Sequence, residues 1–138
     1  MSSKRLIVAL DFRNFDEMSK FVVRLDPNTC IVKVGLQLFI AGGAKVLEFL
    51  SSQGFEIFLD LKLHDIPNTV HKAVQEIAKY NVSMTTIHLQ GGTEMIAAAN
   101  EAKLKTKILG VSLLTSLDES DTQMLYSNAF DKQFNNLI

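Results

Sequence analysis

The sequence predicts an α/β fold built on a parallel sheet. Three observations carry this. Five short apolar runs recur along the chain, each is followed by residues with helical spacing, and turn-forming residues punctuate many of the junctions. Regular strand–helix alternation implies a parallel sheet covered by helices. Two architectures satisfy that pattern, a doubly wound open sheet or part of a (β/α)8 barrel. No Gly-x-Gly-x-x-Gly follows the first run, which weakens the dinucleotide-binding version. Periodicity alone does not choose between the two.

The first run, Leu6–Leu10, reads as a buried strand that stops at Asp11. Asn14 or Asp16 can cap a helix reaching about Leu25, and Asp26-Pro27-Asn28 makes a turn. Residues 30–34 form a second strand ending at Gly35, followed by one helix from about Gln37 to Gln53 with Gly54 as its C-cap. A third strand covers 55–61, a loop 62–68, and a helix about Thr69 to Tyr80. The fourth strand is 84–88, and Gly91-Gly92 precedes a helix near 94–103. The fifth strand is 108–114, and another helix begins near Asp118. The chain thus divides into a five-unit domain over residues 1–125 and a tail over 126–138 with no further strand-like run.

Composition narrows the function. With 138 residues and 47% hydrophobic content, the chain can bury a single core. Fourteen basic against fifteen acidic residues leave a net charge of -1, so nothing suggests a nucleic-acid surface. A small anionic ligand needs only local charge. The one cysteine, Cys30, excludes an intrachain disulfide or a Cys-rich metal site and reads as a small buried apolar residue. No apolar stretch reaches membrane-spanning length and no signal-like h-region follows Met1, so a soluble cytoplasmic protein is expected.

Charged residues fall where the strands end: Asp11 after the first, Lys33 in the second, Asp60 and Lys62 at the third. In parallel α/β folds the C-terminal strand ends line the ligand site. Asp60 and Lys62 are two apart and, on an extended chain, face the same side. Asp65 and Thr69 follow in the adjoining loop, which Pro67 stiffens. The alternative is a set of solvated strand ends. Of the histidines, His64 reads as structural, His71 as a solvated helix residue, and His88 as a core or supporting residue; their spacing makes no metal motif. Gly91-Gly92 reads as a close packing turn, with phosphate contact at a helix N-terminus as the alternative.

The string Asp60-Leu61-Lys62-Leu63-His64-Asp65-Ile66-Pro67-Asn68-Thr69 resembles the signature of bacterial orotidine 5'-phosphate decarboxylases. Val8-Ala9-Leu10-Asp11, Val32-Lys33-Val34-Gly35, Gly54-Phe55 leading to Phe58-Leu59-Asp60, and Leu114-Thr115-Ser116 are similar in the family's order and spacing, from about Leu6 to about Leu125. The resemblance implies a (β/α)8 TIM barrel, a homodimer, a nucleotide substrate and no metal or organic cofactor. It implies Lys62 as proton donor, Asp60 against the substrate carboxylate, and Lys33 completing the charge network and touching the ribose. It further implies Asp65 as a catalytic member of the charge network, reaching with Thr69 into the partner's site, Asp11 at the ribose hydroxyls, and Thr115 with Ser116 near the pyrimidine.

These residue types suit that chemistry. Loss of CO2 leaves charge on a ring carbon that delocalises it poorly, and a fixed ammonium stabilises and then protonates it. A carboxylate beside the departing carboxylate opposes the ground state only. Two unit charges about 4 Å apart interact by about 4 kcal/mol at an effective dielectric of about 20.

Two departures from the resemblance stand out. Leu89-Gln90 precede the glycines of the fourth unit where relatives carry small residues, and the Pro-Gly loop, Gln and Gly-Arg segment that grip the phosphate are missing. The chain by itself is therefore expected to be inactive and prone to aggregate, as a remnant or as half of a split enzyme. The enzymatic rival is an Mg2+-dependent sugar-phosphate decarboxylase or aldolase sharing Asp-x-Lys-x-x-Asp. Its relatives place an acidic metal ligand at the end of strand two, where this chain has the cation Lys33.

Overall fold

The computed structural model describes residues 6–127 and 129–138. Five strands, β1 (Leu6–Ala9), β2 (Cys30–Gly35), β3 (Glu56–Leu63), β4 (Met84–His88) and β5 (Lys107–Val111), form one sheet. Each pairs in parallel with the next, in the order β1-β2-β3-β4-β5. A doubly wound sheet reverses direction at a switch point. This sheet never reverses, so it progresses as the wall of a barrel does. Among the described residues β1 and β5 are its two edges.

The helices are α1 (Phe15–Val22), α2 (Leu36–Gly42), α3 (Ala44–Ser52), α4 (Pro67–Ala78), α5 (Gly92–Ala102), α6 (Glu119–Tyr126) and α7 (Phe130–Leu137). Asn14 is the cap of α1: its side chain accepts the Glu17 N–H at 2.9 Å and donates to the Glu17 carboxylate at 3.1 Å. Asn14→Ala should cost about 1 kcal/mol of stability, read as a lower urea midpoint with unchanged slope.

Several expected boundaries move, each for a local reason. The single helix expected over 37–53 is two, α2 and α3, broken at Gly43, whose φ of 57° and ψ of -149° suit only glycine. Gly54 does end α3: its N–H bonds the Ser51 carbonyl and the Phe55 N–H bonds that of Leu50, closing a Schellman turn. Pro67 does not stiffen a loop but opens α4 at its first turn, where a missing N–H costs nothing. Strand β3 runs on to Leu63, so Lys62 belongs to it rather than to the loop. Strand β5 ends at Val111, short of the expected Leu114. The tail holds a helix, α7, and Asp118 caps α6 through a reciprocal capping box with Asp121.

The two faces of the sheet differ. Val32, Val34, Ile57 and Leu59 point to the helix side and pack with Met18, Val22, Leu38, Leu47 and Leu50 in the main core. Ile87 joins Val70, Val74, Met95 and Ala99 in a second cluster under α4 and α5. The alternate residues point to the other face. Cα register aligns Ala9 with Lys33, Lys33 with Phe58, and Gly35 with Asp60 across three strands. Apolar residues on this face, such as Ile7 and Leu109, remain partly exposed.

Candidate active site

The strand register gathers charge on the second face. Lys33 stands near the end of β2 and Asp60 beside Gly35 on β3. Lys62 Nζ lies 2.9 Å from both Asp60 oxygens, and Lys33 Nζ lies 3.5 Å from Oδ2. The hydroxyl of Thr86, on β4, donates to Asp60 Oδ1 at 2.9 Å. Four donor contacts thus fill the acceptor sites of one carboxylate. Asp60 is 12% exposed, against 27% for Lys33 and 33% for Lys62. The carboxylate is the enclosed centre, and both lysine side chains are more exposed than it is.

Burial works to raise the pKa of Asp60. Hydrogen bonds from Lys62 and Thr86, with the charges of Lys62 and Lys33, outweigh it and hold the carboxyl below its usual 3.8. An ionised Asp60 between two ammonium groups is therefore the resting state near neutral pH.

Lys62 reaches this place by a route that alternation does not describe. Its φ is +51°, a left-handed value uncommon outside glycine. The β3–β4 register shifts between Leu59 and Leu63, so the strand is irregular where Lys62 sits. Asp60 and Lys62 share a face as expected, but a local kink puts them there, not an extended backbone.

The other expected site residues fall into two groups. Asp11 follows β1, where the Leu10 N–H bonds the Lys33 carbonyl at 2.9 Å. A Cβ on Gly35 would lie 3.9 Å from Asp11 Oδ1, so this carboxylate borders the same strand end. Asp65 and Thr69 are exposed on the segment after β3, and the Asp65 carboxylate accepts the Ile66 N–H at 2.7 Å. Thr115 and Ser116 are exposed in the turn after β5. These four do not join the Lys33–Asp60–Lys62 group within this chain.

Two features escaped the sequence reading. Thr86 is one; the other is a histidine pair, with the His64 and His88 rings 5.3 Å apart beside the cluster. His71 is not merely solvated: its Nδ1 is 3.2 Å from the Ala98 carbonyl on α5. Gly91-Gly92 is a packing turn: a Cβ on Gly91 would meet Met95 Sδ at 2.1 Å, and Gly92 has φ +82°. Gln90 ties this turn to the segment just after β5 through the Ser112 carbonyl at 3.0 Å. Cys30 is buried. Among the described residues no three His, Cys, Asp or Glu side chains gather as a metal-binding group, and no helix is long and apolar enough to cross a membrane.

Residues 4–134 match the model of the orotidine 5'-phosphate decarboxylase / HUMPS family. The chain belongs to that family. It is 47% identical over 123 residues to the orotidine 5'-phosphate decarboxylase of Nitrosospira multiformis, covering 88% of this chain and 52% of that protein. The enzyme of the same name from Malacoplasma penetrans is 42% identical over 127 residues, covering 89% and 55%. The crystal structure of orotidine 5'-phosphate decarboxylase from Lactobacillus acidophilus superposes with a TM-score of 0.87 at 35% identity, covering 98% of this chain and 65% of that one. The chain therefore spans about half the length of the curated relatives it matches. Its sheet supplies five consecutive βα units of the family's (β/α)8 barrel.

His88 gives the site a pH signature. Its Nδ1 is buried without a hydrogen-bond partner. Burial first, then the neighbouring His64 and Lys62 charges, hold its pKa below the usual 6.5. On acidification the unfolded chain takes up this proton before the folded one. The contribution of neutral His88 is thus complete above about pH 6.5 and is lost as pH falls through the lower folded value. Urea midpoints should drop between about pH 7.5 and 5.5, and His88→Gln should flatten that slope.

Proposed function

We propose that the Lys33–Asp60–Lys62 group is the catalytic centre for decarboxylation of orotidine 5'-phosphate to UMP, a step of pyrimidine biosynthesis. The observation that carries this reading is the bidentate approach of Lys62 Nζ to Asp60 at 2.9 Å. It sets an ammonium beside a carboxylate, the pairing that suits a departing ring carboxylate and the carbanion it leaves. Asp60 opposes the substrate carboxylate, and that opposition disappears with CO2. Lys62 meets the developing carbanion and delivers a proton to the ring carbon that lost the carboxylate. Lys33 offsets the negative charge of Asp60 and touches the ribose.

In this reading Asp11 binds the ribose hydroxyls, and Thr115 with Ser116 approach the pyrimidine. Asp65 and Thr69 serve the site of a second copy in a cytoplasmic homodimer. Their exposure on the β3–α4 segment supports that assignment, as does the exposed Ile66 between them. No metal or organic cofactor enters. A divalent ion beside Asp60 would have to sit against the Lys33 ammonium, 3.5 Å away, which repels it.

The test uses a chimera in which residues 1–125 replace the matching part of the Nitrosospira multiformis relative. It should release CO2 from orotidine 5'-phosphate at a rate unchanged by a chelator. A folded chimera without turnover contradicts the reading. Turnover that a chelator abolishes would show a metal-dependent step and contradict the metal-free reading.

A further inference from the structure

We infer that Thr86 is a positioning residue that locks the Asp60–Lys62 pair through both valences of one hydroxyl. Its Oγ1 accepts the Lys62 backbone N–H at 2.9 Å and donates to Asp60 Oδ1 at 2.9 Å. A hydroxyl has a single proton, so donation to the carboxylate leaves its lone pairs for the amide. Both bonds run from β4 to β3 at the irregular stretch between Leu59 and Leu63. There the ladder is interrupted, and the side chain of Thr86 supplies the acceptor for the displaced amide.

The neighbouring Thr85 shows that the role belongs to the face and not to the residue type. It points to the helix side, is fully buried, and donates to the Leu59 carbonyl at 2.8 Å. Thr86 is 5% exposed, so water is poorly placed to replace its hydroxyl. Lys62 at φ +51° needs support from its surroundings. One bond fixes the backbone that carries the ammonium, and the other fixes the carboxylate that the ammonium meets. The catalytic consequence rests on the proposed decarboxylase reading; the positioning itself does not, and it can be measured without substrate.

The experiment uses the 138-residue chain and its Thr86→Val and Thr86→Ser variants, followed by NMR. Valine keeps the volume and removes both bonds; serine keeps the hydroxyl. In Thr86→Val the Lys62 amide should exchange with solvent about tenfold faster, and the Asp60 carboxyl should titrate at higher pH. Thr86→Ser should restore both. A Thr86→Val chain unchanged in both readouts, or a Thr86→Ser chain that behaves like it, overturns the inference. If Thr86→Val does not fold, the unsubstituted chain still decides: a slowly exchanging Lys62 amide supports the inference, and one that exchanges as fast as an exposed loop amide overturns it. Failure of the chimera to decarboxylate would leave these results standing and strike only the functional reading.

Discussion

Lys62→Ala should lower decarboxylation by the chimera by about 10³-fold or more, in kcat rather than KM. General-acid catalysis alone contributes roughly 10²- to 10⁴-fold, and electrostatic stabilisation of the carbanion adds to it. Both effects exist only as the carboxylate leaves, so the loss belongs to the chemical step. The fold should survive, because Lys62 is one-third exposed and Asp60 keeps its contacts with Lys33 and Thr86. Steady-state kinetics with circular dichroism on the same samples check both halves. Near-normal turnover by a folded Lys62→Ala chimera would remove Lys62 from the mechanism.

The largest effect on stability is expected from Leu59→Ala, at about 2–5 kcal/mol. Leu59 is fully buried in β3, one residue before Asp60, and packs toward the helices with Ile57, Val34 and Leu47. Its truncation removes apolar area from the core and leaves a cavity that a strand held on both sides collapses into poorly. Leu104, 79% exposed, is the matched control; Leu104→Ala should stay within about 0.5 kcal/mol. Urea unfolding of the 138-residue chain gives both numbers. Equal midpoints for the two variants would mean that the helix-side cluster is not the core.

The strands were legible because parallel strands buried by helices are written as apolar runs. Cys30–Val34 and Ile57–Leu61 show this, and the cations and carboxylates that interrupt such runs stand out against them. That contrast exposed Lys33, Asp60 and Lys62, which the fold brings together. Thr86 was not legible. A threonine on a strand is ordinary, and its part depends on a register shift that no single strand encodes. The break at Gly43 was hidden because the apolar spacing of α2 and α3 reads through it. Helix α7 was missed although Phe130, Phe134 and Leu137 keep helical spacing, because Asn135 and Asn136 sit between them. Strand-order progression, which separates a barrel wall from a doubly wound sheet, appears only in three dimensions.

The proposed role of the Lys62 ammonium is to carry the chemistry. Its most direct measurement is chemical rescue: the Lys62→Cys chimera, alkylated with 2-bromoethylamine, regains a primary ammonium on a side chain of nearly the same length. Within this chain the remaining thiol, Cys30, is buried, and the unsubstituted chimera treated identically controls for other alkylation. Turnover should be negligible before alkylation and return with the aminoethyl group, but not with the neutral group left by iodoacetamide. A return of activity with the neutral group, or none with the ammonium in a folded protein, would contradict that role.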